Sequence, residues 1–282
     1  MGLSLAIPTP LDYFAALVQS DAQFHLLETA VSLGQDDYPR LDVQQVLAEV
    51  DALLARLRQR LPADAPAMHR LRMVNHFFFQ ELHFGGNLNH YDDPDNSYPH
   101  RVLERRRGIP VSLAVLWLEL ARGIGLSAHG VGFPGHFLVK VNLPHAQVVV
   151  DPFSGQSLSR EELLTRLEHW RSVQEPQADA DATLGHYLQA LPARGIIARM
   201  LRNLKEIHRA QRDWRRLVAV EDRLLVLLPR AWDEYRDRGL ALAELGRLAP
   251  ALRDLEVYLE EAAGGDAPRI AERVAALRRA LR

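Results

Sequence analysis

The chain of 282 residues is 48% hydrophobic and 25% charged, the balance of a globular protein long enough to bury two cores. Its net charge of -2 gives no general attraction to nucleic acid or to an anionic membrane. With no cysteine, it has no disulfide, no thiolate metal site and no thiol nucleophile.

The first residues, MGLSLAIPTPLDYF, carry an apolar stretch broken by two prolines with no basic region before it, which is not the pattern of a secretory signal. The most apolar run, Ile109 to Leu126, contains Glu119 and Arg122, so no segment reads as a membrane span. The expected location is the cytoplasm.

Residues 11–60 follow a helical period. Leu17, Phe24, Leu26, Leu27, Ala30 and Val31 mark two short helices, with Asp21 as the cap between them. Pro39 interrupts the pattern, and Asp42 caps a helix through Arg60 that carries Val46, Val50, Leu53, Leu54 and Leu57 on one stripe. Pro62 and Pro66 end it. A further helix from Ala67 to Leu82 sets Leu71, Val74, Phe78 and Leu82 on one side, and the run Phe77 to Phe79 is assigned to the core.

Residues 83–100, HFGGNLNHYDDPDNSYPH, read as a long loop, with paired glycines, two prolines and many Asn and Asp residues. Asp92, Asp93, Asp95, Asn96 and Ser97 lack the glycine and distal glutamate of a calcium loop. His83, His90 and His100 lack zinc spacing. Neither a metal nor another cofactor is expected. Asn87, Asn89 and Asn96 offer their amides either to nearby backbone or to an oxyanion.

A short helix from Pro99 to Arg107 ends at Gly108, a natural residue beyond a C-cap. Arg105 to Arg107 read as a solvated basic face that suits the helix C-terminus. Pro110 fits the first position of the next helix, Pro110 to about Arg122, which is apolar nearly all round and therefore central. Glu119 within it faces outward or pairs with one of those arginines. Ser112 falls in its first turn, where unpaired N–H groups and the helix dipole favour negative charge.

GHFLVKV and QVVVDPF, separated by NLPHA, read as a hairpin with a loop of several residues. His136 opens its first strand and Asp151 closes its second. A hydroxyl, an imidazole and a carboxylate so placed can supply a nucleophile, a base and a group that orients the base. Each also has a plainer role: Ser112 bonding its own helix turn, His136 satisfied by backbone, Asp151 turning the chain before Pro152.

Ser159 and Glu162 fit a capping box for the next helix, and residues 171–193 are polar and broken, the pattern of a domain boundary. From Arg194 onward the pattern is helical throughout. An offset of 34 residues sets Asp213 on Arg247, Leu217 on Ala251, Val218 on Leu252 and Leu225 on Leu259, the tetratricopeptide period. Gly239, Ala251 and Tyr258 take small and aromatic positions of the second copy, and Pro229 closes the first. Lys205 and Leu217 stand where small residues are usual. A closing helix from Pro268 to Leu281 completes a minimal array.

With these residues placed, the stretch from Asn75 to Phe153 resembles the transglutaminase-like superfamily through RRRGIPVSL, GVGFPGHFLV and VVVDPFSG. It is similar in particular to the bacterial SirB-type branch, which carries C-terminal tetratricopeptide repeats. The resemblance covers most of the chain. It implies an α+β, mostly helical protein: a papain-like core of helices on a small antiparallel sheet, then an all-α repeat domain. The domains expected are an N-terminal helical segment packing on the core (1–66), the core (67–172), a linker (173–193) and the repeats (194–282).

The resemblance also implies a nucleophile at a helix N-terminus followed by His and Asp on adjacent strands, the positions of Ser112, His136 and Asp151. Asn87, Asn89, Asn96 and Gly135 are expected to line the cleft. Ser112 stands where active members hold cysteine. A thiol beside an imidazole ionises near neutral pH, whereas a serine hydroxyl needs its proton removed during attack and a good oxyanion site. The favoured reading is a catalytically degenerate protein- or peptide-interaction module, with partners at the cleft and the repeats and no nucleic-acid or membrane partner. The alternative is a serine-dependent hydrolase or acyltransferase, with Ser112 as nucleophile, His136 as base and Asp151 as orienter.

Overall fold

The computed structural model describes residues 8–174, 180–261 and 265–282. The N-terminal reading falls partly on residues 1–7, and the expected linker partly on 175–179; both stretches lie outside the described residues. The chain divides into two compact units, Phe24–Met200, and Met1–Gln23 with Leu201–Arg282.

Helix α1 (Pro10–Leu17) is held at its start by a reciprocal pair: Thr9 accepts from the Asp12 N–H while Asp12 accepts from the Thr9 N–H. A 3-10 turn at Asp21–Gln23 and helix α2 (Leu26–Ser32) follow. Asp21 opens that turn rather than capping α2, whose cap position is His25, because Asp21 lies too far upstream of the helix's first N–H groups. Asp42 does cap α3 (Val43–Arg58), accepting from Gln44 and Gln45, and the predicted apolar stripe is buried. Helix α4 (Ala67–Asn75) does not run on as α to Leu82. Residues His76–Glu81 form a π-helical turn that buries Phe77 and Phe78 and stacks Phe78 on Phe84, with ring centroids 4.3 Å apart.

Two short segments then frame the central helix. Strands β1 (Gly85–Gly86) and β2 (Arg107–Gly108) pair in parallel, on either side of α5 (Pro99–Arg105). Gly108 is therefore a ladder residue, not the turn beyond a helix. The left-handed position is taken by Arg106 (φ 59°), whose guanidinium lies 4.6 Å from the Phe84 ring centroid. Helix α6 (Pro110–Gly123) starts on Pro110 as predicted and is buried nearly all round. Its Trp117 N–H donates to Asn75 at 3.0 Å. Glu119 does not pair with the basic run: Arg105 is taken by Asp93 and Asp95, and Arg107 by the His83 carbonyl. Burial pushes the Glu119 carboxyl up, and Arg122 partly offsets this.

The predicted hairpin is the middle of a four-stranded antiparallel sheet, ordered β3 (Ser127–Val131), β4 (Leu138–Leu143), β5 (Ala146–Val150), β6 (Ser157–Leu158). Leu143 pairs with Ala146, so the loop is Pro144 and His145 alone rather than five residues. Helix α7 (Arg160–Gln174) begins at the Ser159–Glu162 capping box, and α8 (Ala180–Tyr187) follows. Leu163, Leu167 and Leu184 from these two helices pack with Val131, Leu138 and Val149 of the sheet.

Helix α9 (Ala193–Ala210) runs across the division between the units. Helices α10 (Trp214–Leu227), α11 (Trp232–Glu244), α12 (Leu248–Glu261) and α13 (Ala267–Ala280) follow, each packed on the next. Helix α12 opens 34 residues after α10, as the repeat offset requires. A Cβ on Gly239 would stand 2.8 Å from the Leu255 side chain, which explains the small residue. No helix of the described residues is long and apolar enough to cross a membrane.

Candidate functional site

The sheet register brings two of the three predicted residues together. Val139 at the start of β4 pairs with Val150 at the end of β5, so the turn before β4 and the residue after β5 share one end of the hairpin. His136 lies in that turn, two residues ahead of β4 rather than opening it, and its Nε2 is 2.9 Å from Asp151 Oδ1. Gly135, exposed and with φ +66°, makes the turn possible.

Asp151 is nearly enclosed, its side chain 5% exposed against 23% for His136. Its Oδ1 also accepts from the Phe153 N–H at 2.9 Å, and its Oδ2 lies 3.3 Å from the Arg166 guanidinium. Burial alone would raise the carboxyl. The hydrogen bond and charge of His136, the Phe153 N–H and Arg166 outweigh that and hold it below the usual aspartate range. A carboxylate kept ionised fixes the imidazole with an N–H on Nε2 and leaves Nδ1 as the acceptor.

Ser112 sits at the third position of α6 and is fully buried. Its hydroxyl donates to the Asn96 carbonyl at 2.5 Å, is 3.0 Å from the Ile109 carbonyl, and accepts from the Ile109 N–H at 3.2 Å. Among the described residues no hydrogen bond joins Ser112 to His136. The triad is thus a His–Asp pair and a separate serine tied to the loop.

That loop is organised by Asn96, which is also fully buried. Its amide donates to the His90 and Tyr91 carbonyls, and its oxygen accepts from Asn87 at 3.0 Å. Asn87 in turn accepts from the His90 N–H. Both amides are committed to the loop itself, and Asn89 is exposed. The acidic residues of the loop face arginines: Asp93 pairs with Arg105, and Asp95 with Arg101 and Arg105.

Phe153 links the two halves. Its carbonyl accepts from the Gly86 N–H at 2.9 Å, and a Cβ on Gly86 would strike its ring at 2.2 Å. Its ring centroid lies 6.5 Å from that of His136 and 6.2 Å from that of Tyr91. Tyr91 and Leu88 leave large apolar surfaces exposed on the loop beside it. Sequence reasoning missed Phe153 and Arg166 as site residues. Phe153 lay inside a quoted motif, but Arg166 has no local signal, since α7 brings it to Asp151 only through its packing on the sheet.

This chain belongs to the transglutaminase-like superfamily, whose sequence pattern matches residues 44–202, with a tetratricopeptide repeat matching 204–280. Within it, the bacterial relatives are UPF0162 proteins of the SirB type. One from Xylella fastidiosa is 38% identical over 85% of this chain and 85% of its own, and one from Vibrio cholerae 28% identical over 83% and 85%. Human F-box only protein 21 is 31% identical over 45% of this chain and 24% of its own. A transglutaminase-like domain joined to tetratricopeptide repeats is the make-up of a protein-interaction module.

Proposed function

We propose that the chain binds a peptide or protein segment without cleaving or transferring it, Ser112 standing where catalytic members of the superfamily hold cysteine. The observation that carries this reading is the hydroxyl of Ser112, fully buried and donating to the Asn96 carbonyl at 2.5 Å. A serine nucleophile needs an approach for the acyl carbon and a base on its own proton, and here that proton is held by backbone. The half-open side of His136, the Phe153 ring and the exposed Leu88 and Tyr91 offer one polar acceptor amid apolar surface, which suits recognition.

One observation favours the alternative, a serine-dependent hydrolase or acyltransferase: the 2.9 Å bond between His136 and Asp151, which a pure scaffold does not need. Intact-mass analysis after treatment with a fluorophosphonate decides between them. The expected result is no adduct on the folded protein. An adduct that disappears in Ser112→Ala overturns the binding reading.

A further inference from the structure

The repeat unit holds a groove of about 710 Å³ formed by α9, α10, α11 and the start of α13. Trp214, Leu217 and Leu240 give it an apolar wall. Beneath it, Lys205 is buried with its ammonium among three carboxylates, 3.1 Å from Glu221, 2.6 Å from Asp237 and in direct contact with Glu234. Those carboxylates lie close enough to hold a metal ion, but the ammonium already occupies the space between them.

The groove lining carries five Lys or Arg side chains against four Asp or Glu. Asp237 is matched by Arg236 at 2.8 Å as well as by Lys205, Asp266 by Arg236 and the Tyr258 hydroxyl, and Glu244 by Arg273. Glu221 is fully buried, and neither of its oxygens accepts a hydrogen bond. Burial pushes its carboxyl above the ordinary glutamate range, against the pull of Lys205. Two of the lining cations, Arg212 and Arg269, are exposed and make no ion pair among the described residues. Arg269 also acts through its charge on Asp266, while Arg212 stands at the rim beside Trp214.

We infer that this groove docks an acidic peptide segment of a partner protein, carboxylates on Arg212 and Arg269 and an apolar side chain against Trp214 and Leu240. The inference rests on reading the chain as an interaction module and names the chemistry of one partner. Guanidinium forks suit carboxylates, and surplus charge at a groove rim both attracts and selects the segment that enters.

Fluorescence anisotropy tests this with the full chain and a short dye-labelled peptide of Glu and Leu, compared with its counterpart carrying Lys for Glu. The Glu peptide is expected to bind, and more weakly as salt rises; the Lys peptide is not. The double variant Arg212→Glu/Arg269→Glu is expected to lose about tenfold or more. Arg253→Glu/Arg279→Glu, which changes net charge equally on exposed positions outside the groove, is expected to bind as the native chain does. No binding of the Glu peptide, equal binding of the Lys peptide, or undiminished binding by the groove variant would each overturn it. An adduct on Ser112 with peptide binding intact sinks the cleft reading alone. A silent Ser112 with no peptide binding sinks this inference alone.

Discussion

Ser112 shows how one atom's neighbours decide between chemistry and structure. The helix start is right for a nucleophile, yet the hydroxyl proton goes to the Asn96 carbonyl and ties the loop to α6. Because the native chain has no cysteine, Ser112→Cys supplies a single thiol and a direct reading of access. Its alkylation by iodoacetamide is expected to be slow in the folded protein and to track unfolding as urea is added, since the position is fully buried. Rapid labelling without urea would show that the site opens and would remove the main support for a non-catalytic cleft. The positions of Ser112, His136 and Asp151 were legible in the sequence. The partner of Ser112 was not, because a backbone carbonyl such as that of Asn96 carries no residue code and reaches Ser112 only when the loop closes over it.

At the scale of elements, α10 carries a charge where its period calls for an apolar residue. Glu221 lies inside the run VAVEDRLLVL, which is the signal that was available; its partners, Lys205 on α9 and Glu234 and Asp237 on α11, follow from helix packing alone. The folded pKa of Glu221 is raised above the unfolded value, so the folded state keeps a proton that the unfolded chain releases. Stability therefore falls as pH rises from the ordinary glutamate range toward the folded value, by up to about 1.4 kcal/mol per pH unit. Glu221→Gln removes the titration. Its urea stability relative to native is expected to improve steadily between about pH 5 and pH 8; a difference independent of pH would mean that Glu221 is ionised in the fold. Other elements were read more fully. The stripe of α3, the start of α6 and the 34-residue offset of α10 and α12 all follow from local pattern. The π-helical turn at His76–Glu81 did not, since one additional residue per turn leaves the apolar spacing of a short segment almost unchanged.

Across the whole molecule, the division between the two compact units falls inside one helix. Ile196, Ile197 and Met200 of α9 belong to one unit and Leu201 and Leu204 to the other, and all five are buried. The sequence set a boundary at residues 173–193 because that stretch is polar, whereas the compact units divide inside a continuous helix, where nothing in composition changes. A proline there should be costly. Leu201→Pro removes an interior helix hydrogen bond and clashes with the preceding turn, at about 3 kcal/mol or more. That lowers Tm by roughly 6–12 °C in a chain of this size. An unchanged Tm by circular dichroism would mean that α9 is not continuous in solution.

The hydroxyl at position 112 has a consequence for chemical ageing. A thiolate poised beside an imidazole is the first atom peroxide attacks, and the sulfinic and sulfonic acids that result are not readily reversed. Here position 112 holds a buried hydroxyl, and the chain contributes no sulfur from cysteine anywhere. The contacts that hold these side chains, Ser112 to Asn96 and His136 to Asp151, are made by oxygen and nitrogen alone. Peroxide is therefore expected to leave both contacts intact.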